Sequence, residues 1–507
     1  MQAPPDSRAT DTPAVVQLAP PAAVGKPGIV RNTLYLTMAQ VVTIPIAIAA
    51  NAVAARYLGP VAIGMMYTAS TACSLALLAL EWGQTGAIPA LVARSNDKAG
   101  LILGTGFAWR AFAVLPLAVV LTLTCVILEY DTALRWTLAL SFPLAVLNSL
   151  GGGVKDAIRG FERTDIPAKA QVAQQVLNLL LALPVLMLGG SLLDMLAVHI
   201  AIALVVLLML LRVLRPLLST PIKFDRSVVG PLFSTGTPFV FFGLALAAQP
   251  YIDALFLNEL APPHVVGWHA VTQRLIGLLI FPATALIGAL YPTLCRLHTE
   301  SPAEFVTVTR GAVYGVTLMA VPAAVGAGLF PELGIMIYGR EKFGGAEANL
   351  QVQSLFLLLV YVSMPLGTAV LAANRQKVWA LVQCISIAIA CTFNPLFIDY
   401  FQRTAGNGSL ATCWGIVCGE FLIVLCGAWL TPRGIFDRTL AKSLSLSLLS
   451  GGVMAGVGLL LKPISLFLAV PAALAAYAGT AWITGALQAS TIQMAKRFIA
   501  RKLNRAA

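Results

Sequence analysis

Charge is what this chain has least of. Only 11% of its 507 residues are Asp, Glu, Lys or Arg, against roughly a quarter in soluble globular proteins. With 58% hydrophobic residues and a mean hydropathy of +0.85, it has too little polar surface to disperse in water as one domain or several. A disordered chain is equally excluded, because such chains are poor in apolar residues. None of the eight cysteines sits in a CxxC pair, so neither a zinc site nor a dithiol redox motif is suggested, and the cysteines read as small core-packing residues. The sequence has no Walker A motif, no GxGxxG opening a soluble domain, and no loop long enough to hold either. An ATP-driven pump is thereby disfavoured, and no cofactor or metal is implied. The chain does not lack positive charge: 33 Lys and Arg against 21 Asp and Glu leave a net +12. No basic segment has the form of a nucleic-acid-binding module, so nucleic acid is not an expected partner.

What is abundant is long apolar runs. A bilayer-crossing helix needs about 20 mainly apolar residues, since lipid offers no partner to backbone polar groups. Fourteen stretches qualify, at about 33–55, 64–92, 103–127, 133–157, 170–188, 193–213, 233–257, 265–293, 308–329, 350–373, 378–398, 409–430, 441–461 and 464–486. Gly83, Gly86 and Pro89 interrupt the long second run, which fits a bent helix or a helix followed by an interfacial turn. The runs are apolar on all faces, whereas barrel strands alternate with period two, so a membrane barrel is excluded. Residues 1–28 read as a flexible cytoplasmic tail, and 490–507 as a short amphipathic interfacial helix.

The positions of the charges give the orientation. With the N-terminus cytoplasmic, 25 of the 33 basic residues fall on inner segments, including Arg94, Lys155, Arg159, Arg163, Arg215 and Arg438. Six fall outside: Arg56, Arg135, Arg340, Lys342, Arg403 and Lys462. That asymmetry satisfies the positive-inside rule from loop to loop and supports an even count with both ends inside. The surplus also suits contact with anionic headgroups of membrane lipids. The longest outer loop, Pro331–Asn349, is a poor catalytic platform, so a membrane transferase or ligase is disfavoured and the chain is not expected to be an enzyme. The sequon Asn407-Gly408-Ser409 is a three-residue match of low specificity.

Two of the 33 basic residues, Arg110 and Arg274, lie deep in spans, as do Glu81, His199, Asp253 and Glu420. A charge at membrane depth is costly and marks a cavity or a partner. Glu81 and Arg110 lie at similar depth on consecutive antiparallel helices. Asp253 and Arg274 flank the turn near Ala261 with a depth mismatch of roughly 7 Å. These pairs either lock neighbouring helices, or their arginines line a cavity for an anionic group while a carboxylate titrates or exchanges partner. Glu420 is a candidate proton site, and His199 reads as a hydrogen-bonded packing residue. Gln171, Gln174, Gln175 and Asn178 recur at helical spacing, and Gln249 adds a further amide. Amides suit sugar hydroxyls and equally suit interhelical hydrogen bonds.

The chain also resembles itself. Pro60-Val61-Ala62-Ile63-Gly64 through Ala69 aligns with Pro263-His264-Val265-Val266-Gly267 through Thr272, 203 residues later. Each copy opens the second helix of a six-helix half, and six is even, so the halves insert in parallel. The expected architecture is an all-α integral membrane protein of about 14 transmembrane helices: two six-helix lobes plus two extra C-terminal helices. The boundaries are a tail over 1–28, lobes over 29–215 and 216–432, helices 13–14 over 433–489, and a tail over 490–507.

Three stretches carry a family likeness. Arg31-Asn32-Thr33 through Ala55-Arg56-Tyr57-Leu58-Gly59-Pro60 resembles the first span and turn of polysaccharide flippases. So does Asp253 followed by Val266-Gly267-Trp268-His269-Ala270 and Gln273-Arg274-Leu275, and Gly160-Phe161-Glu162-Arg163-Thr164 is similar to the turn after their fourth helix. The resemblance covers about 30–430, the twelve-helix core. It places the chain with the Wzx-type flippases of the multidrug/oligosaccharidyl-lipid/polysaccharide exporter superfamily. It implies lobes around a central cavity, alternating access, and an undecaprenyl-diphosphate-linked oligosaccharide as substrate in a bacterial inner membrane. A polysaccharide polymerase and glycosyltransferases would be the surrounding partners. By position, Asp253 and Arg274 match the family's charged sites, whereas Glu81 departs from it. A cation-coupled multidrug exporter and a lipid II flippase are the alternatives of the same fold. The topology predicts that a single cysteine introduced near residue 162 labels from the cytoplasmic side and one near residue 132 from the outside; the reverse pattern would overturn the orientation.

Overall fold

The computed structural model describes residues 27–486, and among these the regular structure is entirely helical. The helices are α1 (Pro27–Glu81), α2 (Gln84–Arg94), α3 (Ala99–Ile127), α4 (Thr132–Gly160), α5 (Asp165–Met187), α6 (Leu192–Leu214), α7 (Arg226–Leu260) and α8 (Pro263–Glu300). They continue with α9 (Pro302–Leu329), α10 (Pro331–Tyr338), α11 (Arg340–Phe343), α12 (Ala346–Ala372), α13 (Gln376–Ala405), α14 (Ser409–Leu430), α15 (Arg438–Leu461) and α16 (Leu466–Ile483). Nearly all of the 1–28 tail and the whole 490–507 tail lie outside the described residues.

α1 has 55 residues, which as a straight rod would reach roughly 80 Å, far more than the ~30 Å of bilayer hydrocarbon. It is two crossings joined at Gly59, whose φ of 79° and ψ of 176° break the helix. Glycine tolerates that conformation, and Pro60 supplies the fixed φ that restarts the second half. With α1 counted twice, and α3 to α9 and α12 to α16 once each, fourteen crossings result. The expected span over 64–92 is a helix that ends at Glu81 and a separate one, α2. Between them Trp82 and Gly83 both take positive φ (44° and 68°). α2 is 11 residues long, about 16 Å, so this break lies about that far from the turn at 95–98. The loop expected over 331–349 folds as the two short helices α10 and α11.

Helix ends follow local chemistry. Asp131, Asp225 and Asp437 cap α4, α7 and α15 by accepting from backbone N–H groups, and Ser191 with Asp194 forms a capping box on α6. The Ser227 hydroxyl and N–H, at 2.7 and 2.8 Å, also hold the Asp225 carboxyl below its usual range.

Packing assembles two groups of helices. α1 packs on α4 and α5, α4 on α6, and α2 and α3 on α4; in the other group α12 packs on α8, α9 and α14, and α13 on α14 and α7. The groups meet where α1 crosses α8 and runs beside α7. α15 lies on α9, and α16 on α15. The Tyr477 hydroxyl of α16 donates to Leu318 O of α9 at 2.8 Å and sits 3.0 Å from Ser447 Oγ of α15.

At the α1–α8 crossing the two sequence repeats meet each other. A methyl group on Gly64 would lie 2.9 Å from both Gly267 N and Pro263 O, and one on Gly267 would strike the backbone of Pro60. The contact is reciprocal, as a pseudo-two-fold axis between parallel halves requires. Arg56 reinforces this end by donating to Met336 O (2.8 Å) and Ile337 O (2.9 Å), while Lys342 Nζ donates to Arg56 O (2.9 Å).

Two smaller expectations are corrected or explained. Cys73, Cys125 and Cys413 are buried, but Cys384, Cys391 and Cys418 are exposed on membrane helices, where they face outward and are not core-packing residues. The Asn407 sequon is structural: Asn407 is buried and donates to Gly345 O and Asn349 Oδ1, while Asn349 donates to Ser409 Oγ and Ser409 to Asn407 Oδ1. Gly267→Val should lower the unfolding midpoint of the detergent-purified protein sharply, as overpacking typically costs about 1–3 kcal/mol. Gly277→Ala, on the same helix with nothing within 4 Å, should leave the midpoint unchanged.

Candidate functional site

The deepest polar cluster lies beneath the repeat crossing, where α1, α7, α8, α13 and α14 converge. Asp253 of α7 is 2% exposed, and Asn394 of α13 donates to its Oδ1 at 2.8 Å. His269 of α8 is fully buried and stacks edge-on against Tyr67 of α1, with ring centroids 5.5 Å apart. Its Nδ1 lies 3.2 Å from Thr412 Oγ1, and its Nε2 lies 3.3 Å from Gln273 Nε2. The Thr412 hydroxyl already donates to Ser409 O, so it accepts from Nδ1–H, and Nε2 accepts from the Gln273 amide. That assignment makes His269 a neutral imidazole, fixed by its neighbours. Asn258 of α7 closes the same side by donating to Thr68 Oγ1 at 2.6 Å.

Arg274 sits one turn further along α8, close to the side chains of Tyr67 and Tyr338. It is half-buried, and its Nη1 is sealed from solvent with no protein acceptor. The expected Asp253–Arg274 pair does not form: no ion pair joins them, and Asp253 turns to Asn394 instead. Gln249 lies one turn before Asp253 on α7 and is half-buried, so the two share a helix face. The free donor at this seam is therefore the arginine, and its surroundings suit a multiply accepting group such as a phosphate oxygen.

The other sequence candidates separate. Gln175 and Asn178 of α5 line a cavity of about 200 Å³ with Asn51 of α1 and His199 of α6, the rest of the wall being alanine, leucine, valine and methionine. Gln174 faces away from it, donating to Asn148 Oδ1 and accepting from Lys155 Nζ, and Gln171 is exposed. The single amide face expected on this helix is thus divided. Glu420 of α14 accepts a hydrogen bond from Ser363 of α12, which is the partner its own span lacked. Arg110 is 1% exposed, inside the first group of helices and away from the seam. Glu81 is half-buried, and its carboxylate is not within ion-pair distance of Arg110, so that expected pair is also absent.

Sequence reasoning passed over Tyr67, His269, Asn394 and Thr412 as site residues, and Gln84, Ser149 and Asp156 around Arg110. His269 was legible in principle: it is one of only four histidines and lies at membrane depth inside the second repeat copy. Asn394, Ser149 and Gln84 carry no charge and no spacing signal.

Solved structures of the same fold exist. A structure described as the lipid II flippase MurJ in an inward closed conformation aligns with TM-score 0.70 and 12% identity, over 89% of this chain and 99% of that one. An inward-facing multidrug resistance MATE family transporter of the MOP superfamily aligns with TM-score 0.63 and 16% identity, over 83% and 99%. A MOP superfamily transporter from Pyrococcus furiosus, described as having a binding pocket of reversed polarity, aligns with TM-score 0.56 and 14% identity, over 83% and 97%. At these identities the likeness is one of fold. No curated protein sequence matches the chain. The family profile described as polysaccharide biosynthesis protein matches residues 29–298, more than half of the chain and both copies of the repeat. A multi-pass membrane protein with this repeat and this match is a member of the polysaccharide biosynthesis protein family, and it shares its fold with the MATE and MurJ structures.

Proposed function

We propose that the protein moves an undecaprenyl-diphosphate-linked oligosaccharide across the bacterial inner membrane by alternating access, for assembly of a surface polysaccharide. The observation that carries this reading is Arg274: a half-buried guanidinium at the seam between the helix groups, with Nη1 unaccepted by any protein atom. A diphosphate carries charge and many acceptor oxygens, and cannot enter about 30 Å of hydrocarbon unless protein groups replace its hydration. Arg274 supplies donors of the right geometry, and Gln249 adds an amide on the facing helix. The polyprenyl chain is as apolar as lipid and needs no pocket. The 200 Å³ cavity beside Gln175, Asn178 and His199 offers amides suited to sugar hydroxyls.

Conformation supports the same reading. The end bearing Gly59 and Pro263 is closed by the Gly64–Gly267 crossing and the Arg56 hydrogen bonds. The opposite end carries most of the basic residues, which the positive-inside rule assigns to the cytoplasm, with both termini there. A carrier closed outside and loaded from the cytoplasm is one of the two states that alternating access requires. The lobe boundaries over 29–215 and 216–432 then describe the bodies that rock, with α1, α7 and α8 at their seam.

A cationic drug would be repelled by Arg274 and would need an uncompensated carboxylate, whereas Asp253 is held by Asn394. The test is translocation of a labelled lipid-linked oligosaccharide in reconstituted vesicles. Arg274→Ala should reduce the rate at least about tenfold, because a hydrogen bond to a charged group is worth about 1.5–3 kcal/mol and about 1.4 kcal/mol is a factor of ten. Arg274→Lys should restore part of it. Full transport by the alanine variant, or efflux of hydrophobic cations by the wild type with no lipid-linked oligosaccharide translocation, would overturn the proposal.

A further inference from the structure

The break in the helix after Glu81 has a neighbourhood of its own, distinct from the seam. α2 starts after two left-handed residues, and its first turn has no side-chain cap. The first turn of such a helix presents unbonded N–H groups and the positive end of its dipole. Gln84, the first residue of α2, is 1% exposed, and neither Nε2 nor Oε1 has a protein partner. α2 and α3 are antiparallel about the turn at 95–98, so Gln84 and Arg110 lie at nearly equal depth.

Arg110 makes one hydrogen bond, from Nη1 to Ser149 O of α4 at 3.0 Å, and its Nε and Nη2 are buried with no partner. Ser149 Oγ and Asp156 Oδ2, on the face of α4 turned to Arg110, are likewise unpartnered. Six such atoms on four residues therefore lie on α2, α3 and α4, where Gln84 Oε1 reaches α3 at Gly106 and Arg110 Nη1 reaches α4 at Gly153. Gly153, one turn from Ser149, leaves room for the guanidinium, since a methyl there would strike Nη1.

Two carboxylates lie near this guanidinium, yet neither accepts a hydrogen bond from it. The carboxylates that reach it electrostatically are those of Glu81 and Asp156. Asp156 is committed to Arg159, with Oδ1 2.8 Å from Nη1, and Glu81 is not within ion-pair distance. Unpaired donors on a buried cation are expensive in a low-dielectric interior. The unbonded donors are two guanidinium nitrogens, an amide and a hydroxyl, groups that can together hold a small anion.

We infer that the buried cluster between α2, α3 and α4 formed by Arg110, Gln84 and Ser149 is a binding site for a small inorganic anion of the halide class. The anion accepts from the unbonded Arg110 nitrogens and fixes the broken helix against α3 and α4. A co-bound water donates to the remaining acceptors, Gln84 Oε1 and Asp156 Oδ2. The site is separate from the one around Arg274 and does not depend on which substrate the protein carries.

Thermal unfolding of the full-length purified protein tests it, with chloride or bromide exchanged for gluconate at constant ionic strength. The wild type should show a saturable halide-specific rise in midpoint of about 2–5 °C. Arg110→Met and Gln84→Leu should each lose that increment, and Arg274→Ala should keep it. Should Arg110→Met fail to fold, Gln84→Leu decides. Identical wild-type midpoints in chloride and gluconate would mean that water alone occupies the site and would overturn the inference. Retention of the increment by Gln84→Leu, or its loss in Arg274→Ala, would overturn it equally.

Discussion

In hydrocarbon a polar group has no solvent to turn to, and this constraint shapes each level of the molecule. It makes every crossing a helix, because only a helix satisfies its backbone within itself. It also restricts where a helix can break. The interruption at Gly59 lies at an end of the layer, where the chain reverses. The one at Trp82–Gly83 lies within it, and there the freed backbone is covered by α7: the Gly83 and Gly236 backbones touch, and the Trp82 indole donates to Thr237 at 3.3 Å. Side chains obey the same rule. Asn349, Asn407 and Ser409 close a ring of hydrogen bonds among themselves, and His269 uses both ring nitrogens.

Against that background, the polar atoms left without protein partners are informative by their positions. Several of them gather at two places, one at the seam around Arg274 and one behind the break around Arg110. The first is half-open and faces the junction of the two groups of helices. The second is closed and internal to one of them. Two intramembrane arginines that look alike in the chain thus have different surroundings, one at the junction of the helix groups and the other sealed inside one of them.

The repeat links architecture to motion. Its copies carry proline and glycine at matching positions because each opens a helix and each must let the other's backbone approach closely. A crossing with no side chains between the backbones is tight when closed, yet carries no ion pair of its own that must be broken. The Arg56 and Lys342 hydrogen bonds to backbone carbonyls supply the polar part of that closure at the membrane edge, where exposed interactions are individually weak.

Sequence alone determined that the chain lives in a membrane, that it crosses fourteen times, that its basic residues crowd one face, and that its halves are parallel copies. These properties follow from composition and from position along the chain, which hydropathy and residue counting read directly. Depth is readable in the same way, and Gln84, Glu81 and Arg110 do lie at similar depth. Tertiary structure alone decided which of them meet, because contact also depends on the angle around each helix axis. Beyond the left-handed residues at 82 and 83, Gln84 packs against α3 at Gly106, while Glu81 approaches Arg110 without pairing with it. Likewise Asp253 found Asn394, an uncharged residue 141 positions away, where charge and depth had pointed to Arg274. A polar side chain within a bilayer needs a partner, but its own sequence neighbourhood does not say which helix will bring one.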